Sequence, residues 1–109
     1  MKAQSPKILI VEDEFIAAMN LETELALLGY DVLEVETTGE GAIKSAEKND
    51  PDLVLMDVVL KGPMSGIEAS SEIVSRKKIP IMFMTGMDDR LIKSRTVCIC
   101  AAESAPRLT

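Results

Sequence analysis

Acidic and hydroxyl side chains stand where three apolar runs of this chain end. Glu12 and Asp13 follow Lys7–Val11, Asp57 follows Leu53–Met56, and Thr85 follows Ile79–Met84. If the runs are strands of one sheet, three carboxylates and a hydroxyl converge at its edge. Carboxylates gathered in one cleft repel each other at neutral pH, and a hard divalent cation with oxygen ligands relieves that repulsion, Mg²⁺ most naturally. With such an ion bound, an acidic cleft becomes a phosphate site, because the ion inverts the local charge. An Asp carboxylate is then a competent nucleophile toward phosphorus and forms an acyl phosphate. What remains is to position and neutralise the transferring group, which is largely electrostatic work. Thr85 is suited to hydrogen-bond one phosphoryl oxygen, and Gly86 beside it leaves the mouth open.

Each residue alone has a plainer use. Asp13 is a good helix N-cap, Asp57 a good turn former, and a Thr at a strand end is ordinary. Their joint occurrence at successive strand ends favours chemistry, since ligands of open parallel sheets bind beyond the carboxyl ends of the strands.

The elements that must hold these residues alternate. Lys7–Val11 is short, apolar and β-branched, which reads as a buried strand. From Phe15 to Leu28 the residues Ala18, Leu21, Leu25 and Leu28 make one helical face, and Gly29 stops it. Val32–Glu36 alternates like an edge strand. Ala42, Ile43 and Ala46 mark a short helix ending at Asn49-Asp50-Pro51, and Leu53–Met56 is an apolar strand. Gly66–Lys77 is helical by its Ile67, Ser70/Ser71 and Val74 face. Ile79–Met84 is a fourth strand with Pro80 near its start, where proline is tolerated. Asp88 to about Ser94 reads as a short helix and Val97–Ala101 as a fifth strand, while 102–109 shows no periodicity. Strand–helix alternation with continuous apolar strands predicts an α/β fold, an open parallel sheet covered on both faces.

Bulk properties bound the function. The 109 residues make one domain, 47% hydrophobic, with two Phe, one Tyr and no Trp, so the core must be aliphatic and partly Met-filled. A net charge of −6 disfavours direct nucleic-acid binding. There is no His, which excludes His-based catalysis and any phosphohistidine within these residues. Cys98 and Cys100 are too close in sequence for an easy disulfide and read as reduced, cytoplasmic thiols. No signal-like segment follows Met1, and no apolar run approaches the ~20 residues of a membrane span.

Taken together, Ile-Leu-Ile-Val-Glu-Asp-Glu at 8–14, Leu-Gly-Tyr at 28–30, Pro-Asp-Leu-Val-Leu-Met-Asp at 51–57, Gly-Ile-Glu at 66–68 and Pro-Ile-Met-Phe-Met-Thr-Gly at 80–86 resemble the receiver domains of response regulators in two-component signalling. The resemblance spans about residues 7–95. It implies a flavodoxin-like fold with strand order 2-1-3-4-5, Asp57 as phosphoacceptor, and Mg²⁺ held by Glu12, Asp13, Asp57 and the backbone carbonyl of Val59. It further implies Thr85 as the switch residue. The donor would be a phosphohistidine on a sensor histidine kinase or a phosphotransfer protein, with the chain itself a signalling protein and not an enzyme.

Two departures accompany the likeness. The loop after Asp57 is one residue longer than the commonest receiver pattern and carries Pro63. Receivers also bear a Lys-Pro pair on strand 5 with an aromatic two residues before the Lys. Here the Lys position falls near Arg107, preceded by Pro106, and the aromatic position falls on Ala105. Arg107 is the surrogate cation the sequence offers, with a different donor geometry from Lys. Residues 96–109 thus form an atypical tail, which leaves strand 4 near an open edge. Uncovered edges pair with other chains, so a homodimer through strand 4 and the tail is expected. The leading reading is a phosphorylatable receiver. The alternative is a degenerate receiver that binds partners without phosphorylation-dependent switching. A phosphohydrolase of the haloacid dehalogenase type would need an Asp two residues after Asp57, where Val59 stands.

Overall fold

The computed structural model describes residues 5–85 and 96–100, with side chains over 5–84. In chain order the elements are β1 (Lys7–Val11), α1 (Phe15–Leu27), β2 (Asp31–Val32), α2 (Gly39–Asn49), β3 (Leu53–Asp57), α3 (Gly66–Arg76), β4 (Ile81–Thr85) and β5 (Thr96–Cys100). The strands lie in the order β2-β1-β3-β4-β5, the first four of them parallel. None of the described helices is long and apolar enough to cross a membrane.

β1 and β3 are apolar on both faces because both faces are covered. Leu9, Val11, Val54, Met56 and Ile81 point into a core closed by Ala42 and Ala46 of α2 and Ala69 and Ile73 of α3. Ile8, Ile10, Leu55 and Met84 point the other way, toward Leu21 and Leu25 of α1. Alternation of side chains along a strand produces this division.

Helix ends follow local chemistry. α1 stops in a Schellman turn: Gly29, at φ 99°, donates to the Ala26 carbonyl, and Tyr30 donates to that of Leu25. α2 begins at Thr38, whose hydroxyl accepts from the Gly41 N–H at 3.0 Å, and ends on Asp50 in the left-handed region. α3 opens with a reciprocal capping box between Ser65 and Glu68.

Two strands depart from the sequence expectation. The second pairs with β1 only over Asp31–Val32 and returns through a bridge between Val11 and Glu36. Leu33 donates to Ile8 and Glu36 donates to Ile10. Three steps along one strand therefore oppose two along the other, and the extra residue interrupts the ladder as a bulge does.

The fifth strand runs antiparallel to β4, with Thr85 opposite Thr96 and Ile81 opposite Cys100, instead of completing a parallel sheet. Only residues 86–95 separate the two strands. A parallel crossover needs a dozen or more residues, whereas an antiparallel return does not. The edge of β4 is therefore paired within the chain along Ile81–Thr85. The short helix expected at 88–94 lies outside the described residues.

Candidate functional site

The carboxylate end of the sheet is built by β1 and β3, which pair in register from Ile8↔Leu53 to Val11↔Met56. Each strand hands its next residues to the same edge, so Glu12 and Asp13 meet Asp57 although 44 positions separate Asp13 from Asp57 in sequence. One carboxylate oxygen from each of Glu12, Asp13 and Asp57 lies within 4.8 Å of the others. Among the described residues this is the one such acidic grouping. Glu12 is 4% exposed, and Asp13 and Asp57 are half-buried at the mouth.

Backbone amides orient the cluster. Glu14 donates to Glu12 Oε2 at 3.2 Å, Val59 donates to Asp57 Oδ1 at 3.3 Å, and Lys61 donates to Asp13 Oδ2 at 2.9 Å. The last contact decides between two readings of Asp13. The N-cap of α1 is Glu14, which makes no side-chain cap, and Asp13 instead reaches across to the loop after β3. Asp57 does engage a local turn through Val59, yet it keeps its carboxylate at the cluster.

Sequence reasoning missed two contributors. The Lys61 amide anchors the loop after β3 to the first acidic pair, and nothing in its residue type signals that. Gly66 opens α3 with its N–H bonded to the Val58 carbonyl at 2.9 Å, and a Cβ on Gly66 would collide with the Asp57 carbonyl oxygen. The Ser65–Glu68 spacing signals a helix start, but not that its first residue presses against the end of β3.

Thr85 closes β4, one residue beyond Met84, which is paired with Asp57. Its backbone thus stands at the same sheet edge as the cluster, while its side chain lies outside the described atoms. Arg107 lies outside the described residues as well. Val59 is 75% exposed beside the site.

Donor chemistry fits a hard cation. All three side chains offer oxygen, and separations within 4.8 Å are close to the span of an octahedron with bonds of about 2.0–2.1 Å. Three carboxylates at this range suit a divalent cation that several oxygens can share.

Comparison with known proteins agrees with this geometry. The model of the response regulator receiver domain matches residues 8–102. The chain belongs to this family. The receiver domain is 37% identical over 89 residues to the transcriptional regulatory protein PdtaR of Mycobacterium tuberculosis, covering 82% of this chain. It spans 43% of that protein's length. Among solved structures it resembles the signal receiver domain of a modulated diguanylate cyclase from Desulfovibrio desulfuricans, described as an example of alternate folding. There the TM-score is 0.72 at 38% identity, over 82% of this chain and 72% of that one. It also resembles the receiver domain of the sensor histidine kinase PA1611 from Pseudomonas aeruginosa, which has a magnesium ion coordinated in its active site cleft. That match has a TM-score of 0.66 at 34% identity, over 71% of this chain and 64% of that one.

Proposed function

We propose that this receiver domain accepts a phosphoryl group on Asp57 from a phosphohistidine of a sensor kinase or phosphotransfer protein. The observation that carries the reading is the meeting of Glu12, Asp13 and Asp57 at one strand-end cleft in a chain of the receiver family. In the transfer, an Asp57 carboxylate oxygen bonds to phosphorus as the phosphorus–nitrogen bond of the donor breaks. The products are an aspartyl phosphate and a free imidazole. Mg²⁺ would be held by Glu12, Asp13, Asp57 and the Val59 carbonyl, and supplies positive charge to the phosphoryl oxygens.

The chain's own part is positioning. The Val59 amide restrains one Asp57 oxygen, and the Lys61 amide holds Asp13 toward the cleft. Thr85 would take a phosphoryl oxygen. On this reading the chain is the acceptor in a kinase's reaction and not itself an enzyme. Its acidity suits a protein partner better than a nucleic acid. The reading takes it to work in the cytoplasm, where kinases are charged and thiols such as Cys98 and Cys100 stay reduced.

One observation favours the second reading, a binding module that does not switch. β5 runs antiparallel, so the chain leaves it at Cys100, opposite Ile81 and away from the carboxylates.

Incubation with acetyl phosphate and Mg²⁺, followed by intact-mass measurement, tests the acceptor. Wild type is expected to gain one phosphoryl mass and Asp57→Ala none. Absence of the adduct on wild type refutes the reading, and an adduct on both moves it to another residue.

A further inference from the structure

Lys61 enters the site by its backbone. Its amide donates to Asp13 Oδ2 at 2.9 Å, and Asp13 offers an oxygen within 4.8 Å of those of Glu12 and Asp57. The residue stands four positions after Asp57, in the loop between β3 and α3. That loop is pinned on the way to Lys61 and beyond it. The Val59 amide bonds Asp57 Oδ1 at 3.3 Å, and the Val58 carbonyl accepts from Gly66 at 2.9 Å. The Lys61 backbone is thus fixed against the carboxylates.

Its side chain has no structural task. Lys61 is exposed, and its ammonium makes no hydrogen bond or ion pair with the described residues. Lys7, by contrast, bonds the Asn49 carbonyl at the far end of β1, and Arg76 and Lys77 pair with acidic residues of α2 and α3 and with Asp50. A lysine carries its charge as a compact point with three donors on a flexible four-carbon stem. A backbone held at Asp13 therefore keeps the ammonium on a short tether beside the cluster.

The reaction has a use for that charge. A transferring phosphoryl group spreads negative charge over three equatorial oxygens, and donors aimed at that charge stabilise the transfer. The side chains of the described cluster are all carboxylates, and β5 brings no charged residue to the sheet. We infer that the Lys61 ammonium meets the phosphoryl group on Asp57 and hydrogen-bonds one of its oxygens, during transfer and in the aspartyl phosphate. The inference rests on the acceptor reading above. No bond to Lys61 forms or breaks, and its nitrogen keeps its protons; what it supplies is charge beside the oxygens.

The test follows acetyl phosphate labelling of the full chain in Mg²⁺ by intact mass against time. Lys61→Gln keeps the backbone amide and a polar side chain while removing the charge. It is expected to label roughly tenfold slower than wild type, a smaller loss than for a buried oxyanion donor because Lys61 is exposed. Lys61→Arg returns a cation with a different donor geometry and is expected to recover part of the rate. The rise in Tm that Mg²⁺ produces is expected to be undiminished in Lys61→Gln, since the amide on Asp13 remains. Labelling of Lys61→Gln at the wild-type rate overturns the inference and leaves Asp57 as acceptor. So does a slow Lys61→Gln whose response to Mg²⁺ is lost, or whose rate Lys61→Arg does not raise, because the side chain would then act through the shape of the loop. A wild type that takes no label refutes the acceptor reading itself, and the inference falls with it.

Discussion

Asp57 and its neighbours show how one side chain's use is decided by another's backbone. Asp13 had two uses open to it, capping α1 or facing the cleft. The Lys61 amide at 2.9 Å holds it toward the cleft. Gly66 is the matching constraint on the other side of the cleft, since a Cβ there would run into the Asp57 carbonyl. Backbone cannot yield as a flexible side chain can, so the end of β3 or the start of α3 must shift. Gly66→Ala is therefore expected to destabilise the fold by about 2 kcal/mol, in the ~1–3 kcal/mol range for forced overpacking, and to slow phosphoryl uptake by Asp57. Denaturant titration and the rate of acetyl phosphate labelling measure the two effects. An unchanged labelling rate would show that the close approach does not tune the acceptor. The triad was legible in sequence because strand ends and residue types announced it. Lys61 and Gly66 were not, because an amide contact and a backbone clearance leave no mark on residue type at long range.

At the scale of elements, the helices were readable to within a residue or two because their stop signals are local. Gly29 and the Ser65–Glu68 box announce themselves in a few positions. Strands were less so. The break in β2 depends on where β1's carbonyls lie, and the direction of β5 depends on the length of the connection before it. Neither is a property of the strand's own residues. Between α2 and α3, Lys77 bonds the Asp50 carboxylate at 2.6 Å and the Glu47 carbonyl at 2.8 Å, while Arg76 pairs with Glu47 and Glu72. The Lys77 hydrogen bond, and then its charge, hold Asp50 below the ordinary carboxylate value of 3.8. A carboxylate lowered in the folded state adds stability above its unfolded pKa, and the gain is lost as pH falls through the folded value. Asp50→Asn keeps a side chain tolerated at the left-handed φ of 50° and removes only the charge. It is expected to lower Tm slightly at pH 7, with the gap to wild type closing as pH falls below the ordinary carboxylate value and through the lowered one. Asp50 is solvent-exposed, which keeps the effect small. A gap that persists once the carboxylate is protonated in both states would assign it to lost geometry and not to charge.

The whole molecule must carry three carboxylates at one edge while its net charge is already −6. Glu12 is buried at 4% exposure, and Asp13 and Asp57 stand half-buried at the mouth. The parallel pairing of β1 and β3 forces the convergence of Glu12, Asp13 and Asp57, and a cation bound there would be held by the folded chain alone. An ion that binds the folded chain and not the unfolded one stabilises by RT ln(1 + [L]/Kd), about 1.4 kcal/mol at tenfold excess over Kd. For a domain of about 100 residues that corresponds to a rise in Tm of roughly 6–10 °C. Mg²⁺ is therefore expected to raise Tm well beyond NaCl at matched ionic strength, and a chelator to reverse the gain. Asp57→Ala relieves part of the repulsion and removes a ligand together, so its Tm without Mg²⁺ should meet or exceed that of wild type while its response to Mg²⁺ shrinks. Thermal scans of both proteins with and without Mg²⁺ separate the two effects. If Mg²⁺ and NaCl act alike on wild type, the cluster is a surface charge patch and not a cation site. If the Asp57→Ala response to Mg²⁺ is undiminished, the ion binds elsewhere.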